Sequence, residues 1–298
     1  MFGVTILGNN SALPAYNRHP TAQVINLCDQ LFLVDCGEGT QMQMNLYKIK
    51  RSRINHIFIS HLHGDHYFGL PGLITSYGLL GRVADLHLYA PPPLKEILDR
   101  QLAVAGTVLP YMLYFHPLKE GTMADEEKFS VECFKVFHRI DCYGFLFREK
   151  RKPRKINIEA ASKYNVPFEL FDQLKEGNDI MLNKELIKNE ELTVANKPPK
   201  AYAFCADTIY TESLSEKVKD VDLLYHEATY LKDKTEKAVS RFHSTSEQAA
   251  MLAKLSNAKK LLIGHFSSTY ESLDSFLTEA QAVFPDTQLA LEGQSFIV

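Results

Sequence analysis

His56-Ile57-Phe58-Ile59-Ser60-His61-Leu62-His63-Gly64-Asp65-His66 ends in three imidazoles and a carboxylate within six residues, and all four side chains can bind a divalent metal. The β-branched and aromatic run at 56–60 reads as a buried strand, and 67–80 reads as a helix. The ligands therefore fall on a strand-to-helix loop, where side chains converge and water has access. Alternation lets His61 and His63 point toward one metal while Asp65 and His66 turn toward a second. Imidazole nitrogen with carboxylate oxygen suits zinc, with manganese or iron as alternatives.

Working outward from this loop, short strand-like runs recur. Residues 4–7, 23–27 and 31–35 read as strands, the last two joined around Cys28-Asp29-Gln30. Helices are expected at 41–49 and 93–105, with a strand at 86–89. Strands at 129–137 and 143–147 flank His138. Further strands at 201–205, 223–226 and 261–264 each end in a candidate ligand or catalytic residue, which is how α/β folds assemble a site from distant sequence. The alternation predicts two sheets with outer helices. Between 148 and 200 the pattern loosens into mixed charge and short amphipathic pieces. We expect one domain over 1–298 with an inserted arm at about 148–200.

His138, Asp207 and His265 follow three of these strands and supply what a two-metal site still lacks. His61, His63 and His138 would hold one zinc; Asp65, His66 and His265 would hold the other. Asp207 would bridge them. Two dications lower the pKa of a water between them toward neutrality, and a bridging carboxylate offsets part of their repulsion.

These pieces resemble the metallo-β-lactamase superfamily and, within it, the tRNA 3′-processing endonucleases called ribonuclease Z. The likeness runs through Asp35-Cys36-Gly37-Glu38-Gly39-Thr40-Gln41, the long metal motif from Ser60 to Gly72, His138 through Gly144 and Ala206-Asp207-Thr208. It continues through His226-Glu227-Ala228-Thr229, His243-Ser244-Thr245 and His265-Phe266-Ser267-Ser268. The metal motif alone marks the superfamily; the His226 and His243 motifs narrow it. The resemblance implies an αββα sandwich with the metals at one edge of the paired sheets.

The two narrowing motifs also have a chemical reading. Phosphodiester hydrolysis needs a nucleophile, charge stabilisation at phosphorus and a proton for the departing oxygen, and the last wants an acid that is not a ligand. His243 fits, because Ser244-Thr245-Ser246-Glu247 reads as a capping box opening a helix that could aim the imidazole. Glu227 could fix its tautomer and raise its pKa. The resemblance implies the same roles, with Asp65 both a ligand and the group that orients or deprotonates the attacking water. His226 is read equally as a supporting residue or a buried one.

Composition sets the remaining bounds. A net charge of −3 excludes a general basic field, so nucleic-acid binding must be local. Arg148-Glu149-Lys150-Arg151-Lys152-Pro153-Arg154-Lys155 qualifies, and Arg151, Lys152, Arg154 and Lys155 are its candidate phosphate contacts. Relatives implied by the resemblance carry a tRNA-gripping arm in this interval and act as homodimers. The arm here departs from theirs at Val166-Pro167-Phe168-Glu169-Leu170, Thr269 stands where many have arginine, and Ala206 replaces glycine. In the loop from Pro14 to Pro20, Arg18 is a further candidate for phosphate, and His19 is read as a surface residue. Five scattered cysteines without C-x-x-C spacing fit reduced thiols in the cytoplasm. Residues 1–8 read as a first strand rather than a signal peptide, and no apolar run reaches the roughly 20 residues that span a membrane. The expected activity is zinc-dependent removal of the 3′ trailer from precursor tRNA, with two zinc ions per chain. The competing readings are a dinuclear hydrolase of a small phosphodiester, thioester or lactone, and a non-enzymatic metal-stabilised binder.

Overall fold

The strand Ile54–Phe58 lies inside a seven-stranded sheet in a computed structural model that describes residues 2–298. In spatial order this sheet runs Ser295–Ile297, Gly3–Gly8, Ala22–Leu27, Gln30–Val34, Ile54–Phe58, Leu86–Ala90 and Leu113–Pro117. A second seven-stranded sheet runs Thr287–Leu289, Leu261–Gly264, Leu223–Glu227, Ala201–Cys205, Cys142–Glu149, Phe129–Val136 and Gly121–Asp125. Both are mixed. Ile54–Phe58 pairs in parallel with both its neighbours, as Leu223–Glu227 does with its own, while the hairpin strands run antiparallel.

The inner faces of the two sheets meet through aromatic side chains. Phe58 is fully buried, stacks on Tyr89 at 4.3 Å and meets Phe145 and Phe147 edge-on at 5.2 and 5.7 Å. Phe32 packs against Phe129 and Phe147 in the same layer. Helices Thr40–Leu46, Leu70–Leu79 and Pro93–Val104 cover the first sheet's outer face, burying Met44, Leu73, Ile74 and Leu94 against Leu33, Ile57 and Leu88. Helices Ser246–Leu255 and Asp274–Gln281 cover the other with Leu252 and Phe276. This is the helix-sheet-sheet-helix layering expected from the sequence. Among the described residues no helix is long and apolar enough to cross a membrane.

Local details differ from the sequence expectation for identifiable reasons. The helix expected at 67–80 is broken into Gly64–Tyr67 and Leu70–Leu79. At the break, a Cβ on Gly69 would lie 2.3 Å from the Gly37 carbonyl, so only glycine lets the two loops approach. Pro71 then sits in the first turn of the new helix, where its missing N–H costs nothing. The capping box before helix Ser246–Leu255 is formed by Thr245 and Gln248, one residue later than read. Ser244 instead donates to the Thr208 carbonyl at 2.7 Å, leaving the cap to its neighbour.

Residues 149–199 form a second compact unit with its own small core of Leu174, Ile180, Ile187 and Leu192. Two short hairpin-like pairings, Lys155–Ile156 with Thr193–Val194 and Ile180–Leu182 with Glu185–Ile187, frame it. Asn157 caps helix Ile158–Lys163 by accepting from the Ala160 N–H. Buried Asn189 donates to the Leu174 and Asn178 carbonyls, satisfying backbone that a larger core would bury by packing.

Candidate active site

Strands of both sheets are followed directly by the candidate ligands. His61 follows Ile54–Phe58, His138 follows Phe129–Val136, Asp207 follows Ala201–Cys205 and His265 follows Leu261–Gly264. His265 takes a left-handed backbone conformation (φ 60°), a strain of order 1 kcal/mol held by the surrounding structure at the point where the chain turns into the site.

All seven residues singled out as ligands come together. One ligand atom each from His61, His63, His138 and Asp207 lie within 4.8 Å of one another, as do those of Asp65, His66 and His265. Asp207 divides its carboxylate between the two groups. Its Oδ1 is 3.3 Å from both His66 Nε2 and His265 Nε2, whereas its Oδ2 is 3.6 Å from His61 Nε2 and 4.0 Å from His138 Nε2. His66 Nε2 and Asp207 Oδ1 are buried without a hydrogen-bond partner. Polar atoms converging in this way, nitrogen and oxygen only, fit a divalent metal.

The electrostatics agree with that chemistry. Burial, helped by neighbouring imidazoles, holds His61 well below the ordinary histidine range and His63 down to about 4, so both keep a free lone pair. Burial first, with His243 beside it, also lowers His138 despite the pull of Asp207. At His66 burial works the same way but is outweighed by Asp207, Asp65 and Asp35, which raise it well above the ordinary range. Asp65 is depressed although burial opposes this, because His66 and His265 face it.

Outer hydrogen bonds orient four of the five imidazoles. His61 Nδ1 lies 3.0 Å from Ser60 Oγ, His66 Nδ1 2.7 Å from Asp35 Oδ2, His138 Nδ1 2.9 Å from the Phe242 carbonyl and His265 Nδ1 2.9 Å from Thr229 Oγ1. Each leaves Nε2 turned inward. His63 differs: Nδ1 faces His61 and His138, each at 3.1 Å, and Nε2 faces Arg139 Nη2 at 3.0 Å. Asp35 and Thr229 were read from sequence only as members of their motifs, without a role. The imidazoles they orient, His66 and His265, lie 31 and 36 residues away, so no local pattern announces them.

Beside the clusters, His243 Nδ1 lies 2.8 Å from Glu227 Oε1. Glu227 is fully buried and also accepts from the Thr208 N–H, the Thr229 N–H and the Thr229 hydroxyl, so it stays ionised in spite of its burial. That charge outweighs the burial of His243 and pushes the imidazole up to about 9. His226 is buried with Nδ1 on the Glu227 carbonyl and belongs to neither cluster. An open cleft of about 910 Å³ exposes His63, Asp65, His138, Asp207 and His243, with Arg139, Lys237 and Arg241 also lining it.

The other candidates lie elsewhere. Arg18 spends its guanidinium on Asn10 Oδ1 and the Tyr270 and Glu271 carbonyls, at 2.5 to 2.9 Å, and ties down its loop rather than lining the cleft. His19 pairs with Glu292 at 2.9 Å. Within the second unit, Arg151, Lys152 and Arg154 line a cavity of about 370 Å³ with Lys197, and Lys155 lies on an exposed strand position beside it in sequence.

The chain is 44% identical to ribonuclease Z of Bacteroides thetaiotaomicron, across 100% of this chain and 95% of that protein. It is 41% identical to ribonuclease Z of Porphyromonas gingivalis, across 98% and 97%. The solved structure of the short form of human tRNase Z superposes with a TM-score of 0.71 at 26% identity, covering 99% of this chain and 98% of that one. The metallo-β-lactamase fold protein YhfI of Bacillus subtilis gives 0.71 at 19% identity over 99% of both chains, a likeness of fold. A family model for the anti-Pycsar protein Apyc1 matches residues 2–158. That half holds the His61–His66 loop but neither Glu227 nor His243, whereas the ribonuclease Z likeness runs through both.

Proposed function

The chain belongs to the ribonuclease Z family and is a metal-dependent endoribonuclease of tRNA 3′ processing, and we propose that it uses two zinc ions to cut the 3′ trailer from precursor tRNA. One zinc would be held by His61, His63, His138 and Asp207, the other by Asp65, His66, His265 and the second oxygen of Asp207. When bound, such a pair supplies Lewis acidity: it makes water a better nucleophile and offsets charge on the phosphate.

The protein's own groups do the rest. Asp65 orients the attacking water and takes its proton as oxygen bonds to phosphorus. The bond from phosphorus to the tRNA 3′ oxygen breaks, and His243 delivers a proton to that oxygen, leaving a 3′-hydroxyl on the tRNA and a phosphate on the trailer. Glu227 accepts the Nδ1–H of His243 and keeps the ring protonated, so that its Nε2–H is the proton available for transfer. The observation that carries this reading is the 2.8 Å contact between buried Glu227 and His243 beside both ligand clusters. His243 also lies within 4.8 Å of ligand atoms of Asp207 and His265, but neither proposed zinc position needs it, and a binding module has no use for such a carboxylate-backed acid.

Substrate grip, assembly and compartment follow as parts of the same proposal. Arg151, Lys152, Arg154 and Lys155 form the phosphate-contacting base of a tRNA-gripping arm, supported by the cationic cavity in the second unit. Leu79, Leu80, Val83, Val104 and Val108 are exposed apolar side chains, which supports a homodimer contact. Cys36, Cys133, Cys142 and Cys205 are buried free thiols, which supports a cytoplasmic enzyme.

Cleavage of precursor tRNA measured beside bis(p-nitrophenyl) phosphate, with metal content by mass spectrometry, tests the proposal. It expects a discrete trailer product, a 3′-hydroxyl end and two zinc ions per chain. Turnover of the small diester alone would overturn the tRNA assignment.

A further inference from the structure

The acid His243 has a neighbour that the proposed reaction leaves idle. Tyr230 lies buried at the wall of the cleft, its ring 6.3 Å from that of His243 and edge-on to it. Three cations gather round this one ring. Lys237 Nζ sits 5.1 Å over its face. Burial raises the Tyr230 hydroxyl, and Arg241 and then Lys234 oppose that rise. Lys234 is itself seated 4.5 Å over the ring of Tyr270.

Positions 234, 237 and 241 keep the i, i+3, i+7 spacing of one helical face, carried by helix Thr235–Ser240 and its two flanking residues. The Arg241 N–H donates to the Lys237 carbonyl at 3.1 Å, which sets the two side chains one turn apart. Both are exposed and line the cleft. Among the described residues none of the three cations pairs with a carboxylate, although Asp233 and Glu236 stand on the same segment. A cation resting on a π face without a counter-charge keeps its attraction for an anion. In a chain of net charge −3 this is a local positive patch beside the reacting groups.

We propose that Lys237 and Arg241, backed by Tyr230, bind the RNA phosphate one nucleotide upstream of the scissile one. The inference deepens the ribonuclease Z reading and rests on it. His243 decides the side. It serves the departing 3′ oxygen, which belongs to the last nucleotide of the tRNA, and the phosphate at that nucleotide's other end is the anion brought beside Tyr230. Arg241 offers a planar fork to the phosphate oxygens and Lys237 a point charge. Contacts of this kind read no base, so the subsite sets the register of the strand whatever its sequence.

The test is affinity of the zinc-loaded protein for a tRNA transcript without its trailer, by fluorescence anisotropy across a salt series. Lys237→Ala and Arg241→Ala should each weaken binding roughly fivefold and reduce the salt slope by about one. Arg241→Lys should recover the slope but only part of the affinity, a lysine lacking the fork. The same transcript with a neutral methylphosphonate at its last internucleotide linkage locates the contact. Wild type should bind it roughly tenfold more weakly, and Arg241→Ala less than about twofold more weakly, because both changes remove one interaction. Fully additive losses would put the cations in the general field of the protein and overturn the proposal, as would unchanged affinity in both alanine variants. Precursor cleavage by wild type is scored separately. Coupling between Arg241 and that linkage in a protein that leaves precursor uncut would sink the proposed reaction and keep the phosphate site; cleavage without coupling would do the reverse.

Discussion

Asp35 Oδ2 lies 2.7 Å from His66 Nδ1, and the same fully buried carboxylate accepts the Ser60 N–H at 2.7 Å and its hydroxyl at 2.9 Å. Asp35 thus fixes both the ring of His66 and the start of the ligand loop. Asp35→Ala should weaken metal affinity about 10- to 100-fold in chelator competition, with activity returning at excess metal. Wild-type affinity in the variant would show that the ring is held by packing alone.

His243 is assigned to the departing oxygen. His243→Ala should slow precursor tRNA cleavage by about 10²- to 10⁴-fold while leaving bis(p-nitrophenyl) phosphate far less affected, because nitrophenolate leaves without a proton. Equal losses on both substrates remove the acid role.

The acid works only when protonated, so activity should fall as pH rises through the pKa of His243. Burial lowers that pKa and Glu227 more than restores it, to about 9; bound dications draw it down again. Glu227→Gln removes the charge that raises it, so the alkaline limb should move to lower pH. An unmoved limb in the pH–rate profile of this variant would assign the limb to another group.

A different histidine group governs acid stability. His56 stacks on His87 at 5.0 Å, and His87 stacks on His116 at 5.2 Å, beside Tyr89 and Tyr114. Burial first, then His87 and His116, lowers His56 to about 4. A histidine depressed in the fold is neutral there and protonates on unfolding, so its contribution is present above about pH 6.5 and disappears as pH falls toward 4. The melting temperature should drop across that window, and His56→Leu should flatten the drop. A parallel decline in both proteins would place the acid sensitivity elsewhere.

Phe58 joins the two sheets. Phe58→Ala removes a ring packed against Tyr89, Phe145 and Phe147 and should cost about 3 to 5 kcal/mol in denaturant unfolding. A loss below about 1 kcal/mol would mean that the inner layer closes over the gap.

Much of the site was legible because its chemistry is local in sequence or repeats at strand ends. His61 through His66 announce themselves by spacing, and His138, Asp207 and His265 each follow an apolar strand. What stayed hidden depends on neighbours that only folding supplies. Asp35 and Thr229 act on rings brought in from distant segments. Arg18 looked like an open cation until the Tyr270 and Glu271 carbonyls occupied it. The edge strands Leu113–Pro117 and Gly121–Asp125 went unread because half-exposed edges mix polar and apolar residues without a clean period. At Ser244-Thr245-Ser246-Glu247-Gln248 two overlapping capping patterns compete, and a tertiary bond from Ser244 decides between them.

His61, His63, Asp65 and His66 leave one sheet, whereas His138, Asp207 and His265 leave the other. Ions held between them would act as rivets across the seam of the sandwich. Neither half of the chain can assemble the full coordination sphere alone, so loading reports that both layers have docked. Stripping the ions should loosen that edge first, and protease nicking of the loops around it would register the loss before the distant aromatic layer gives way.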